Sequence, residues 1–215
     1  MGVKVMVKRI YILRHGETQW NKEEIFRGRS DIPLNETGLK QAEMASFYFK
    51  DKNIDRIFSS PLLRAMQTAR AVSKTTGKEI EIVEEFIDMN FGIWEGLTIK
   101  EVENNYPHNF AIWVKNPQKL YLEGGETLEA VRKRIASGFE KIFSEKNENL
   151  LIVTHRAICK IMVLFLLDMG NEFFWAMKFD PASITLLEKN NNRFILTFSN
   201  NTSHLQSKRG MYKDF

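Results

Sequence analysis

The chain offers one cysteine, Cys159, in 215 residues, so no disulfide forms within it and folding rests on a hydrophobic core that this length can supply. Cys159 sits in the apolar stretch 158–167, the setting of a buried structural thiol rather than of a nucleophile. Long apolar runs are missing too: the longest, Ile161 to Leu167, has seven residues and is too short for a bilayer. The first residues are interrupted by Lys4, Lys8 and Arg9, without the apolar stretch of a secretory signal, and Met6 spoils a myristoylation pattern. A cytoplasmic, soluble protein with no membrane partner is expected. There is no zinc-finger spacing, basic helix or ribonucleoprotein-like motif, so nucleic acid is not an expected partner. Repeats, low-complexity tracts and linkers are also lacking, and the chain reads as a single domain over residues 1–215.

What is present is a scattered charge of 31 basic and 27 acidic residues, a solvated surface whose mild positive balance of +4 suits an enzyme with an anionic substrate. Apolar strand-like runs alternate with segments of helical period, which predicts an α/β fold of three layers: a mostly parallel central sheet with helices on both faces. Five or six strands are expected, at residues 9–13, 56–59, 79–83, 150–154, 183–188 and 194–199. The Asn190-Asn191-Asn192 turn marks the last two as an antiparallel edge hairpin. Leu39, Ala42, Ala45 or Ser46, and Phe49 recur at helical spacing after a possible cap at Thr37. A second helix is expected over 62–75. Leu128, Val131, Ile135, Phe139 and Ile142 form the stripe of a third helix capped by Thr127. Thr98 and Glu101 fit a capping box, placing a small helical cap over about residues 92–126, and the polar tail 203–215 is expected to be partly mobile.

Chemistry enters with Leu13-Arg14-His15-Gly16-Glu17-Thr18, followed by Asn21, where the apolar run from Ile10 stops. A strand ending in a glycine turn presents side chains and backbone N–H groups at the carboxyl edge of a sheet. There Arg14 would hold phosphoryl oxygens, His15 would take the phosphorus, Gly16 would let the chain turn sharply, and Asn21 could add a hydrogen bond. A lone histidine after a strand is ordinarily a core or surface residue, but the full string in this setting is too specific for that. In Phe58-Ser59-Ser60-Pro61-Leu62-Leu63-Arg64, a second strand ends, Pro61 begins a helix and Arg64 lies in its first turn, where the helix terminus also favours anions. In Val153-Thr154-His155-Arg156 a third strand ends on histidine. Three strands finishing in Arg or His describe one phosphate site.

On these segments, together with Phe26 to Gly38, Phe91-Gly92-Ile93-Trp94-Glu95-Gly96 and Gly124-Gly125-Glu126-Thr127, the chain resembles the histidine phosphatase superfamily, or phosphoglycerate mutase-like family, from Arg9 to about Leu205. The resemblance implies that His15 becomes phosphohistidine and that Arg14, Arg64 and His155 complete the phosphate pocket. Chemistry agrees: a phosphoryl group carries close to two negative charges, and each charged hydrogen bond contributes about 1.5 to 3 kcal/mol. His15 must present a neutral ring nitrogen, so its other nitrogen should donate to a backbone carbonyl, and His155 is cast as a charged or donating stabiliser. No metal-ligand cluster and no cofactor motif is evident, which leaves the electrostatic work to two arginines and a histidine.

A proton donor is also needed for the leaving alkoxide. The family places a glutamate four positions before the glycine of its Phe-Gly-x-Trp-Glu-Gly segment; here that register reaches Asp88, one methylene shorter, with Glu84 and Glu85 as rivals. A second departure is Arg156, where glycine is common. The implied activity is metal-independent hydrolysis of a small phosphate monoester, the Trp94-Glu95-Gly96 and Gly124 to Thr127 segments being most like the α-ribazole phosphatase and broad-specificity branch. The alternatives are a cofactor-dependent phosphoglycerate mutase, whose longer cap this chain lacks, and a non-catalytic phosphate-binding module. The partner is a small phosphorylated metabolite. Candidate selectors of its leaving group are Arg27, Arg29 and Arg156 for a second anionic group, and Tyr106, Trp113 and Tyr121 for a sugar or base. Oligomeric state is not readable.

Overall fold

A computed structural model describes residues 7–143, 148–191 and 193–205. Six strands, β1 (Arg9–Arg14), β2 (Arg56–Ser59), β3 (Ile80–Ile82), β4 (Asn149–Thr154), β5 (Ile184–Asn190) and β6 (Arg193–Asn201), form one sheet in the order β3-β2-β4-β1-β5-β6. Pairings among β3, β2, β4 and β1 are parallel, while β5 runs antiparallel to β1 and to the edge strand β6. The expected mixed α/β architecture is therefore the observed one, including the terminal hairpin. Asn191 takes a left-handed φ of 57° there, and Asn192 lies outside the described residues.

Both sheet faces are covered, which is why β1 and β4 read as continuous apolar runs rather than alternating ones. Ile10 and Ile12 of β1 belong to one core cluster, with Val131, Ile135 and Phe139 of α6 (Leu128–Ile142) and much of α7 (Arg156–Leu166). Tyr11 and Leu13 belong to the other, with Phe49 of α2 (Glu36–Phe49) and Ala65, Ala69 and Val72 of α3 (Leu63–Thr76). The α6 stripe is buried as its period predicts, and Thr127 caps it by accepting from the Ala130 amide at 3.2 Å. Cys159, fully buried on α7, has its thiol pushed well up by that burial.

Two helix starts differ from the sequence reading. Asn35, not Thr37, caps α2, because its Oδ1 accepts from the Gly38 amide at 2.8 Å; Leu39 faces outward, half exposed, leaving Ala42, Ala45 and Phe49 to pack. Pro61 precedes the cap residue Leu62 of α3 rather than opening the helix. Between β3 and α6 the chain forms α4 (Ile99–Asn105), with the Thr98–Glu101 capping box, and α5 (Pro107–Lys115). Residues 206–215 of the tail lie outside the described residues. Among the described residues no helix is long and apolar enough to cross a membrane.

Gly38 brings the start of α2 against the loop after β1: a Cβ there would lie 2.0 Å from the Glu17 carbonyl oxygen. Glycine-to-alanine in an exposed helix ordinarily stabilises by about 0.5–1 kcal/mol. Gly38→Ala is expected instead to destabilise by about 1–3 kcal/mol in urea unfolding; a gain in midpoint would contradict the close approach.

Candidate active site

The site is assembled at the carboxyl ends of three adjacent parallel strands. Arg14 pairs in register with Thr154, and Ser59 with Val153, so the residues that follow, His15, His155 and Ser60, emerge side by side. The His15 amide donates to the Thr154 carbonyl at 2.9 Å, and the Ser60 amide to that of Val153 at 3.0 Å, extending the ladder one step past each strand.

Each residue after His15 has a structural task. The Gly16 amide donates to Thr68 Oγ1 of α3 at 3.1 Å. Gly16 does not use a left-handed φ for its turn; it is needed because a Cβ would meet the Gly38 carbonyl oxygen at 2.5 Å. Glu17 is buried, its Oε1 accepting from Asn35 Nδ2 and its amide donating to Gln41 Oε1, both at 2.8 Å. Thr18 and Asn21 form a capping box around the short α1 (Gln19–Lys22), in which Asn21 Oδ1 accepts from the Thr18 amide at 2.9 Å. That leaves the Asn21 amide nitrogen as its donating end, on a residue that lines the cleft.

His15 is wholly buried. Its Nδ1 lies 2.6 Å from the Gly16 carbonyl, an acceptor only, so Nδ1 carries the proton and Nε2 holds the lone pair. Nε2 has no hydrogen-bond partner among the described residues. Burial, then the charges of Arg64, Arg14 and Arg27, hold this imidazole well below its ordinary pKa, so the neutral ring persists into acid. This is the state the sequence reading requires of a nucleophile.

Arg64, also fully buried, is aimed from all sides. Its Nε donates to His155 Nδ1 at 3.1 Å, Nη1 to the Ser30 carbonyl at 2.8 Å, and Nη2 to the Gly28 carbonyl at 2.8 Å and to Asp88 Oδ2 at 3.1 Å. Because Nδ1 of His155 accepts, its proton sits on Nε2, 2.7 Å from Ser60 Oγ. Burial and the Arg64 charge keep the ring neutral. Of the charged or donating roles expected of His155, the structure holds a neutral ring with both nitrogens engaged, Nδ1 accepting from Arg64 and Nε2 donating to Ser60 Oγ. Arg14 donates through Nη1 to the Phe179 carbonyl.

Asp88 is nearly buried, with Oδ1 accepting from the Met89 amide at 2.9 Å and Oδ2 lying 3.6 Å from His155 Nδ1. Its rivals are elsewhere: Glu84 is exposed, and Glu85 pairs with Lys141 of α6. Arg27 and Arg156 line the same cleft as Arg14 and Asp88. Burial and the charges of Arg14, Arg156 and Arg64 push the Arg27 guanidinium well below its ordinary pKa, the mark of a crowded cationic site that an anion would relieve. Arg29, by contrast, turns to Glu126 at 3.2 Å.

The cleft is lined by charged and aromatic side chains together. Of the aromatic selectors only Trp113 lines it; Tyr121 is 73% exposed and Tyr106 packs into the core below. Sequence reasoning missed Phe91, Phe174 and Trp175, which complete the wall, with Trp175 Nε1 donating to the Trp113 carbonyl at 2.8 Å. It also missed Glu95 as a staple: Oε1 accepts from the Arg29 and Phe91 amides at 3.0 and 3.1 Å, beside Gly28, whose φ of 48° and missing Cβ make room for that carboxylate.

Residues 10–202 match the sequence profile of the histidine phosphatase superfamily (branch 1). The chain is 31% identical over 201 residues to phosphoserine phosphatase 1 of Hydrogenobacter thermophilus, spanning 93% of this chain and 95% of that protein. Phosphoserine phosphatase from Entamoeba histolytica, solved in complex with 3-phosphoglyceric acid, superposes with a TM-score of 0.81 at 29% identity over 92% of this chain and 98% of that one. The α-ribazole phosphatase of Shigella flexneri gives 0.81 at 26% identity, covering 90% and 96% of the two chains.

The depressed histidines have a consequence for stability. On unfolding, His15 and His155 return toward their ordinary value of 6.5 and take up protons that the folded protein refuses. Stability is therefore fully present above pH 6.5 and falls as pH drops below it, each refused proton adding a slope of about 1.4 kcal/mol per pH unit. The urea midpoint should fall as pH drops below 6.5, less steeply in His15→Gln; identical slopes for the two proteins would refute this.

Proposed function

This chain belongs to the histidine phosphatase superfamily, and from that membership we propose that it hydrolyses small phosphate monoesters through a phosphohistidine at His15. One observation carries the reading: the buried Nε2 lone pair of His15, whose tautomer is fixed by the Gly16 carbonyl, stands among the arginines of the site. Nε2 attacks phosphorus, the bond to the ester oxygen breaks, and Asp88 gives that oxygen its proton. Water then attacks the phosphohistidine, Asp88 accepts its proton, the P–N bond breaks and inorganic phosphate leaves. Arg14 and Arg64 hold the phosphoryl oxygens throughout, in place of the charge a metal brings elsewhere. The role of His155 is to keep the Arg64 fork in position.

For the leaving group, the wall of Phe91, Trp113, Phe174 and Trp175 supports an apolar or ring-bearing portion, and Arg27 with Arg156 supports a second anionic group. α-Ribazole 5′-phosphate and a broad range of other monoesters fall within this reading. A panel of that ester, phosphoserine, 3-phosphoglycerate and p-nitrophenyl phosphate tests it by inorganic phosphate release. Isomerisation of 3-phosphoglycerate dependent on bisphosphoglycerate would mark a mutase, and the absence of any turnover a binding module.

Rapid alkaline quenching after incubation with radiolabelled ester should trap label on His15, and His15→Ala should abolish both label and turnover. An active protein without label there overturns the scheme. Arg156→Ala should lower kcat/KM for 3-phosphoglycerate about ten-fold more than for p-nitrophenyl phosphate, the worth of one charged hydrogen bond; equal losses would remove Arg156 from leaving-group recognition.

A further inference from the structure

Arg134 lies on α6, in a run of charge whose ordinary reading is a solvated face, yet its side chain is 16% exposed and each of its five N–H donors is used. Nε donates to Glu126 Oε1 at 2.9 Å and Nη2 to Glu126 Oε2 at 3.1 Å, a forked pair. The remaining donors all reach backbone: Nη1 the carbonyls of Glu85 at 2.5 Å and Ile87 at 2.8 Å, and Nη2 that of Asp88 at 3.1 Å. The intervening carbonyl, that of Phe86, accepts from Thr154 Oγ1 at 2.7 Å, one residue before His155. Four successive carbonyls leading into Asp88 are thus satisfied from outside their own segment.

Two further contacts close the arrangement. Glu126 also pairs both ways with Asn90, its amide donating to the Asn90 carbonyl at 2.8 Å and its Oε2 accepting from the Asn90 amide at 2.9 Å. Gly138, one helical turn from Arg134, lets α6 press on the same segment, since a Cβ there would meet Phe86 Cε1 at 2.5 Å and Glu85 Cβ at 3.0 Å. Aspartate has only two side-chain torsions, so the reach of its carboxyl is set by where its backbone stands. A residue one methylene shorter than glutamate places a correspondingly tight demand on that backbone.

We infer that the Arg134–Glu126 pair is a positioning device that sets the backbone of Asp88, and through it the delivery of the proton to the leaving oxygen. This rests on the assignment of Asp88 as the acid. The two ideas separate by leaving group, because an ester whose leaving anion is already stable needs no proton, whereas an alkoxide does.

The test compares kcat/KM, which reports transfer to His15, for 2,4-dinitrophenyl phosphate and for 3-phosphoglycerate. Asp88→Asn should cost the alkyl ester about 100-fold or more while costing the dinitrophenyl ester far less. Arg134→Met should reproduce that pattern, with Arg134→Lys recovering part of the alkyl-ester activity. Should Arg134→Met fail to fold by circular dichroism, Glu126→Gln, which keeps an oxygen for Arg134 but removes the charge, carries the same expectation. Equal losses on both esters, or no loss on either, would overturn the positioning role. If Asp88→Asn itself shows no dependence on leaving group, the acid assignment falls instead.

Discussion

The hydrogen bond from His15 Nδ1 to the carbonyl of the next residue decides everything downstream. It is a local contact that requires only a particular turn, yet it settles which ring nitrogen is bare. An imidazole of the other tautomer would present a proton to the incoming phosphorus. The turn is held by packing, not by its own preference: Gly16 abuts Gly38, Glu17 is tied to Asn35, and Thr18 is boxed with Asn21. In the proposed reaction, the string from Arg14 to Thr18 is thus one phosphate ligand and one nucleophile followed by three residues that keep a loop still.

Electrostatics sharpen the same point. The guanidinium groups of Arg64, Arg14 and Arg27 bear on the buried neutral ring of His15, and two of them are offset by nearby acceptors: Arg14 donates to the Phe179 carbonyl, and Arg64 to those of Gly28 and Ser30 and to the Asp88 carboxylate. A cluster suited to a dianion is therefore also a burden on the empty protein. Function and stability pull against each other at one place.

Much of the layered fold was legible because its signals are local. The α6 stripe and the apolar β1 and β4 runs each report burial directly, and Arg14, His15, Arg64 and His155 stand where a strand or helix changes character. Asp88 was reached through register within a family motif. What stayed hidden depends on contacts between distant segments. Asn35 and Thr37 are both good caps two residues apart, and only the approach of Gly38 to Glu17 selects the first. Arg134 sits among Arg132 and Lys133, where charge reads as solvent, and its burial is created by a loop nearly fifty positions earlier. Phe174 and Trp175 are aromatic residues in an unremarkable turn until folding sets them opposite Trp113. The contact between His155 and Arg64 stayed hidden because the two stand 91 residues apart.

The wall of the cleft and its chemical floor come from different stretches of chain. Arg14 at the end of β1, Arg27, Asp88 and Arg156 supply the charge of the floor, and the wall is built from Phe91, from α5 and from the turn that carries Phe174 and Trp175. None of the four wall side chains takes part in the hydrogen bonds that hold His15 and Arg64. A scaffold so divided can drift from one metabolite to another by small steps, each intermediate still competent to break a phosphate ester, and kinship among such proteins then speaks for the reaction far more firmly than for the molecule consumed.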